Sequence, residues 1–444
     1  MMKRTLLALS LAALTPNLFA ADLLESWRAA QQYDATFAAA KSTLYAGREK
    51  AEQGKALWLP KVSLAGSAEA VKSDYKPGNP AVPSADGSGG QYGLTVSASQ
   101  PLYHGELSAS ADQLRKQTDL AELAYKSAEQ DLILRVARAY FDVKEAESKV
   151  DLAAAQKSAV ALQLEQAKKM FEVGTATITD TNEAQAQYDA IISSEIAYAN
   201  DLEVKRNAFA QLTALDPNRL AGVADLKPQP PQPNALNSWL DQAPNSISLQ
   251  TQQLNLDIAK REIDKYTLQN APTLDLVASY GSQWQSSGIS KSGGMDRTNS
   301  GIIGVQLSIP LYTGGNRSSQ LREAVSKEDA QRQTVEATRR AAIQQTKQAF
   351  LGVQSGAAQV TALEQSLKSA GSLLDSTKLG RDVGVRTTVD VLNAQQSYFL
   401  TRYNLVSARY EYLFSRLQLA SAVGILSEAD LQSINGWLKN DNPK

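Results

Sequence analysis

The sequence has no cysteine, a single histidine, only 7% aromatic residues and no excess of either charge sign. Without thiols there is no disulfide, no thiolate metal site and no N-terminal cysteine to carry a lipid after processing. With 45 basic against 46 acidic side chains and a net charge of −1, no basic surface points to a nucleic-acid partner. Nucleophile–base pairs, glycine-rich phosphate loops and metal-ligand clusters are missing as motifs, so no enzymatic activity, no cofactor and no metal are expected. His104, just past a strand end, is read as a polar structural residue. Beyond the N-terminus there is no apolar run of the ~18 residues that marks a membrane-spanning helix. A chain that is exported yet lacks such a helix either stays soluble or enters a membrane as a β-barrel.

Export is indicated by the first residues. Lys3 and Arg4 precede an apolar stretch from Leu6 to Leu14 and a small-residue region at Phe19-Ala20-Ala21. That is the layout of a secretory signal peptide over residues 1–20, cleaved near Ala20 or Ala21. Loss of Lys3 and Arg4 takes the net charge from −1 to −3.

Two further absences are local. No proline or glycine occurs from Glu106 to Val173, and no proline from Leu311 to Asn442. Segments of that kind predict very long helices over about 104–172 and 313–381, each roughly 100 Å at ~1.5 Å per residue, although Gly352, Gly356, Gly371 and Gly380 recur in the second at up to about 1 kcal/mol each. Leu107, Ala111, Leu114, Ala121, Ala128, Leu132 and Val136 form a narrow apolar seam along the first, suited to partner helices rather than a broad core.

What is present is a duplication. Ser99-Gln100-Pro101-Leu102-Tyr103 returns as Ser308-Ile309-Pro310-Leu311-Tyr312, and Val173-Gly174-Thr175 with Thr179-Asp180 returns as Val383-Gly384-Val385 with Val389-Asp390. Trp27, Pro60, Phe141 and Gly174 align with Trp239, Pro272, Phe350 and Gly384 at offsets of 209 to 212. One architectural unit has been built twice. The first repeat covers 21–215 and the second 245–425; a Pro-rich linker at 216–244 joins them and a tail follows at 426–444.

In each repeat two segments of period-two patterning precede the long helix. They lie at about 62–73 and 92–102, then at about 273–284 and 301–311. Each has the length of a tilted strand crossing a bilayer, and Gly/Pro/Ser-rich loops join them into two hairpins. Tyr75, Tyr92, Tyr103, Tyr280, Trp284 and Tyr312 sit where an aromatic membrane girdle belongs, the plainer alternative being a soluble hairpin flanked by aromatics. Four strands cannot close a membrane barrel, because open edges leave backbone groups unsatisfied in hydrocarbon. Insertion therefore requires oligomerisation, and three chains would supply twelve strands around a lumen lined by small residues such as Ser63, Gly93, Ser97, Gly281 and Ser308.

The order helix, hairpin, very long helix, Val-Gly tip, returning helix, given twice, resembles the trimeric outer-membrane channels of the TolC type, that is, outer membrane efflux proteins and type I secretion exit ducts. The match covers the whole mature chain and is tightest from Val173-Gly174 to Gln187-Tyr188-Asp189 and from Val383-Gly384 to Asp390-Val391-Leu392. The resemblance implies a membrane β-barrel joined to a long α-helical barrel, in the Gram-negative outer membrane and extending into the periplasm. It implies a homotrimer that meets outer-membrane lipids, a periplasmic adaptor (membrane fusion protein) and an inner-membrane pump, either ABC or proton-driven. Cargo would be proteins or small toxic molecules, passed through a passive duct. The competing reading is a trimeric surface adhesin or anchored coiled-coil scaffold, although adhesins gather their barrel strands at the C-terminus.

By the same resemblance the tips Val173, Gly174, Thr175 and Val383, Gly384, Val385 face the adaptor at the periplasmic entrance. Arg386 would pair with Thr179 and Asp180, with Arg381 as second member of the gate, and Asp390 with Asn393 would line the constriction. Arg381 stands where the family carries a tyrosine and Asn393 where it carries a second acid. Thr177-x-x-Asp180 and Thr387-x-x-Asp390 are also capping-box patterns, so each aspartate has a structural reading beside the functional one.

Overall fold

The computed structural model describes residues 21–75, 78, 81, 85–223, 226–286, 288–290 and 294–439. The signal peptide and the Tyr75 side chain lie outside the described part. The elements in chain order are α1 (Leu23–Tyr33), α2 (Ala35–Ala56), β1 (Lys61–Tyr75), β2 (Ala85–Tyr103), α3 (Gly105–Glu172), α4 (Ile178–Thr213), β3 (Gly222–Val223), α5 (Leu236–Leu240), α6 (Ile247–Leu268), β4 (Thr273–Gln285), β5 (Asp296–Ser308), α7 (Asn316–Asp382), α8 (Thr388–Ala422), α9 (Glu428–Asn435) and β6 (Leu438–Lys439). With neither proline nor glycine past its first residue α3 runs for 68 residues, and α7, free of proline, runs for 67 through Gly352, Gly356, Gly371 and Gly380. Among the described residues no helix is long and apolar enough to cross a membrane.

Two compact units emerge, and each draws on both repeats. Of the described residues, one unit takes those within 40–126 and 247–340, and the other takes those within 21–39, 127–246 and 341–439.

The first unit holds a four-stranded antiparallel sheet in the order β1-β2-β4-β5, so the hairpins of the two repeats meet edge to edge. Its register aligns Val62, Ala98, Ala278 and Ile303 across one face, and Leu64, Val96 and Tyr280 beside them. That face is apolar and exposed, Ile303 at 80%. The other face carries Ser63, Ser97 and Ser279 in one row, and the Ser63 and Ser97 hydroxyls lie 2.8 Å apart. Strict alternation would place Tyr103 on this polar side. A β-bulge between Pro101 and Tyr103 inserts one residue and returns Tyr103 to the apolar face, opposite Leu274.

The hairpin ends depart from the sequence expectation. β2 begins at Ala85, within the stretch read as a loop, and Gly87, Gly89 and Gly90 pair with Ser73, Val71 and Ala70. These glycines permit close approach: a Cβ on Gly87 would collide with the Gly288 carbonyl, and one on Gly89 with the Ser286 hydroxyl. Ser286 ties the two hairpins together, its N–H donating to the Gly90 carbonyl at 2.9 Å while its hydroxyl accepts from the Gly90 N–H at 2.8 Å. In the second repeat β5 ends at Ser308, leaving Leu311 and Tyr312 beyond the strand at 93% and 88% exposure.

Helices of this unit lie side by side in the order α2, α3, α6, α7, the order of the strands they adjoin. The Thr118 hydroxyl donates to the Gly47 carbonyl (3.0 Å), Gln113 to Glu262 (2.6 Å) and Gln331 to Gln252 (2.9 Å), linking each neighbouring pair. Where helix passes into strand, His104 Nε2 lies 3.1 Å from both carboxylate oxygens of Asp275.

The second unit carries the better-buried core. Tyr140 is fully enclosed, packs edge-on to Phe141 and Phe209, and donates its hydroxyl to the Ala221 carbonyl at 2.8 Å. Asp34 separates α1 from α2 and caps the latter by accepting from the Phe37 N–H at 3.0 Å. Burial would raise its carboxyl pKa, but bonds from Arg135 (2.8 Å) and Phe37 outweigh it and hold the value below the ordinary range. The Pro-rich linker is anchored rather than loose: the Tyr412 hydroxyl donates to the Gln229 carbonyl at 2.9 Å, and Trp239 Nε1 donates to the Pro233 carbonyl at 3.0 Å. β3 pairs with β6, so linker and tail meet in a two-stranded sheet.

The repeat is visible in burial as well as in order. Trp27 and Trp239 are both buried, as are Phe141 and Phe350.

Candidate functional site: the two tip turns

Both tips lie in the second unit, and both are built alike from the backbone upward. Glycine ends each long helix because the chain must turn left-handed there: φ is +76° at Gly174 and +83° at Gly384. The orphan carbonyls are then satisfied in parallel. Met170 accepts from the Thr175 and Ala176 N–H groups at 2.8 and 3.1 Å, and Gly380 accepts from Val385 and Arg386 at 2.9 and 3.1 Å.

The returning helices start with reciprocal capping boxes. The Thr177 N–H donates to Asp180 Oδ2 at 2.9 Å while the Asp180 N–H donates to the Thr177 hydroxyl at 3.2 Å. At the second tip the matching distances are 2.9 and 3.1 Å for Thr387 and Asp390. Bonds from the Thr387 N–H and hydroxyl, helped by the Arg386 charge, hold the Asp390 carboxyl below its ordinary pKa. The capping reading of both aspartates is therefore met, and the outer oxygen edge of each stays open to a second contact.

The side chains differ between tips. Arg381 is mostly covered; its Nη1 donates to Gln166 Oε1 on α3 at 3.1 Å and its Nη2 pairs with Asp382 at 2.8 Å. Gln166 was not read from the sequence, since nothing local marks it as an acceptor. Arg386 lies over Gly380, where a Cβ would come within 2.8 Å of its Cγ. Among the described residues Arg386 and Arg381 form no ion pair with Asp180 inside the chain. Thr179 and Asn393 are exposed, and Val173, Val383 and Val385 stand out at 66% exposure or more.

Behind the tips the sequence also gave no warning of a buried amide pair. Gln163 Nε2 donates to Gln395 Oε1 at 2.5 Å, with Gln163 Oε1 and Gln395 Nε2 left without a protein partner. Gln395 belongs to the repeated Ala-Gln motif, but Gln185, its counterpart, lies at the surface and bonds Asp189. Val160, Leu164, Ala167, Ala184, Ile191 and Leu392 pack around this region as one cluster.

Comparison with known proteins agrees with this architecture. The sequence matches the outer membrane efflux protein family over residues 27–215 and 240–425. The chain belongs to that family. It is 32% identical to outer membrane protein TolC of Vibrio cholerae over 433 residues, 97% of each chain, and 29% identical to the alkaline protease secretion protein AprF of Pseudomonas aeruginosa, covering 95% of this chain and 88% of that one. Among solved structures, the Vibrio cholerae outer membrane protein VceC shares the fold with a TM-score of 0.75 at 20% identity, over 90% of this chain and 96% of that one. Membership places the protein in the outer membrane, extending into the periplasm, as an exit duct for efflux and secretion. The family is one of channels rather than enzymes, and nothing found favours an adhesin.

Proposed function

We propose that three copies of the chain assemble into one duct, which receives cargo through a periplasmic adaptor from an inner-membrane pump and is gated at the tips. The observation that carries the trimer is the sheet: four strands, two unpaired edges (β1 and β5) and one face with apolar central rows, Val62, Ala98, Ala278 and Ile303 beside Leu64, Val96 and Tyr280. Unpaired backbone groups in hydrocarbon cost several kcal/mol each, so β1 of one copy pairs with β5 of the next, and three copies close twelve strands. In that barrel Tyr92 and Trp284 mark the outer membrane boundary with Tyr280 four residues inside it, opposite Val96, while Tyr103 and Tyr312 mark the periplasmic boundary and Tyr75 follows further out along β1. From Tyr92 to Tyr103 the strand rises roughly 36 Å, which a tilt of ~40° reduces to roughly 28 Å, the height of an apolar band.

Arg386 is the gate residue with a free head, and its acceptors, Thr179 and Asp180, belong to an adjoining tip in the trimer. Arg381 acts differently, bracing α7 against α3 through Gln166 within its own copy. Exposed ion pairs contribute about 0.2–1 kcal/mol each, so three around the ring hold the entrance shut by an amount that docking can overcome. Val173, Gly174, Thr175 and Val383, Gly384, Val385 form the rim presented to the adaptor. Planar-bilayer recording of Arg386→Ser is the test: single-channel conductance should rise several-fold, and wild-type conductance would remove the latch.

At the constriction Asp390 supplies one carboxylate per copy and Asn393 none. Trivalent cations should accordingly block the pore through Asp390 alone, and Asp390→Ala should abolish that block in the same recordings. Block that persists in the variant would move the ring elsewhere.

A further inference from the structure

A cavity of about 570 Å³ lies against α2, α3 and α6 of the first unit. Its lining includes Lys55, Trp58, Asp112, Arg115, Arg261 and Leu268. We propose that it binds the phosphate-bearing headgroup of a phospholipid in the periplasmic leaflet of the outer membrane, with Trp58 and Leu268 against the glycerol and upper acyl region.

Depth is the first argument. Trp58 precedes the start of β1 at Lys61, Leu268 precedes the start of β4 at Thr273, and the α3 residues of the lining follow the end of β2 at Tyr103 within a few turns. The strands are the membrane-crossing elements, so the cavity stands at the level where headgroups meet water. Tryptophan together with lysine and arginine is the side-chain set of that layer.

Charge is the second. Three cations face two carboxylates, Asp112 and Asp264. Arg261 is committed to both, at 2.6 and 3.0 Å. Arg115 donates one Nη2 bond to Asp112, and Lys55 pairs with Glu52 outside the lining at 2.7 Å. Their side chains are nonetheless 72% and 70% exposed, so most of the five guanidinium donors and two of the three ammonium donors remain for an anion. Burial would raise the Asp112 pKa, but Arg115, Arg261 and Lys116 outweigh it and keep it low, so it stays charged and fixes both arginines in place.

Position in the layer is the third. The cavity opens over α3 with α2 and α6 on its flanks, whereas the edges available to another copy are α2 and α7. Its walls are therefore supplied by one chain, and its size suits a headgroup.

The proposal rests on the trimer in its membrane, and channel conductance of the same samples reports on that reading separately. Trimer in nanodiscs of mixed phosphatidylglycerol and phosphatidylethanolamine should, on release for native mass spectrometry, retain phosphatidylglycerol preferentially. Lys55→Gln and Arg115→Gln should each reduce that retention about fivefold and together about twenty-fivefold, the effect of one and two cations near an anionic surface. Trp58→Leu should reduce it with the charges intact, which covers a failure of the double variant to assemble. Equal retention by wild type and all variants would overturn the proposal. Displacement of the lipid by millimolar glycerol 3-phosphate would overturn it too, since the site would then be one for soluble phosphate esters.

Discussion

The two tips share a backbone and differ in charge. From Phe171 to Glu183 the first carries three acids (Glu172, Asp180, Glu183) and no base; from Arg381 to Asn393 the second carries two arginines against Asp382 and Asp390. Arg381 stands at the position of Phe171 and Arg386 at that of Ala176. Turn geometry, capping and glycine conformation are unaffected, because those depend on residues the copies have in common. The difference teaches that duplication supplied a turn able to end a 68-residue helix, and divergence supplied complementary partners on it. In the proposed trimer acid-rich and arginine-bearing tips would alternate and attract, whereas six copies of the first tip, with acids and no base, would repel.

The comparison breaks most visibly behind the turns. Gln395→Ala strands the buried Gln163 amide and should cost about 1–3 kcal/mol, while Gln185→Ala, at the surface, should stay within about 0.5 kcal/mol. Thermal unfolding of the two variants checks this, and equal melting shifts would mean that the amide pair is no more than surface chemistry. Next in size is the shared glycine. Gly174→Ala and Gly384→Ala each force a Cβ into the left-handed region at about 1–2 kcal/mol, and the two should match in the same melts. Unequal losses would show that the turns are not equivalent in strain.

The smallest effect is a pH dependence at the second tip. The Asp390 pKa is lowered on folding, so its contribution is present above the unfolded carboxylate value of about 4 and lost as pH falls through the lowered folded value. The melting-temperature gap between wild type and Asp390→Ala should be level near neutrality and shrink below about pH 4. A gap that widens on acidification would contradict the sign.

Much of this was legible in the sequence because it is local. Missing glycine and proline predict the extent of α3 and missing proline that of α7, period-two patterning predicts the strands, and Thr-x-x-Asp predicts the helix starts. What escaped depends on partners distant in the chain. The glycines at 87, 89 and 90 look like a loop until the second hairpin arrives beside them. Gln166 and Gln395 are ordinary helix residues until Arg381 and Gln163 pack against them. The linker's two residues of strand exist only because the tail returns to pair with them.

The extra residue between Pro101 and Tyr103 acts as a phase correction. A strand reads its two environments by odd and even count, and a shift of one exchanges them for everything that follows. Here the count is reset just before α3 begins at Gly105, so the last aromatic side chain faces the same solvent as Tyr92, Leu94 and Val96. A register that paired Leu102 as well would leave composition and hydropathy untouched and still turn Tyr103 inward, so that in the proposed barrel an outward aromatic would become an obstruction in the duct.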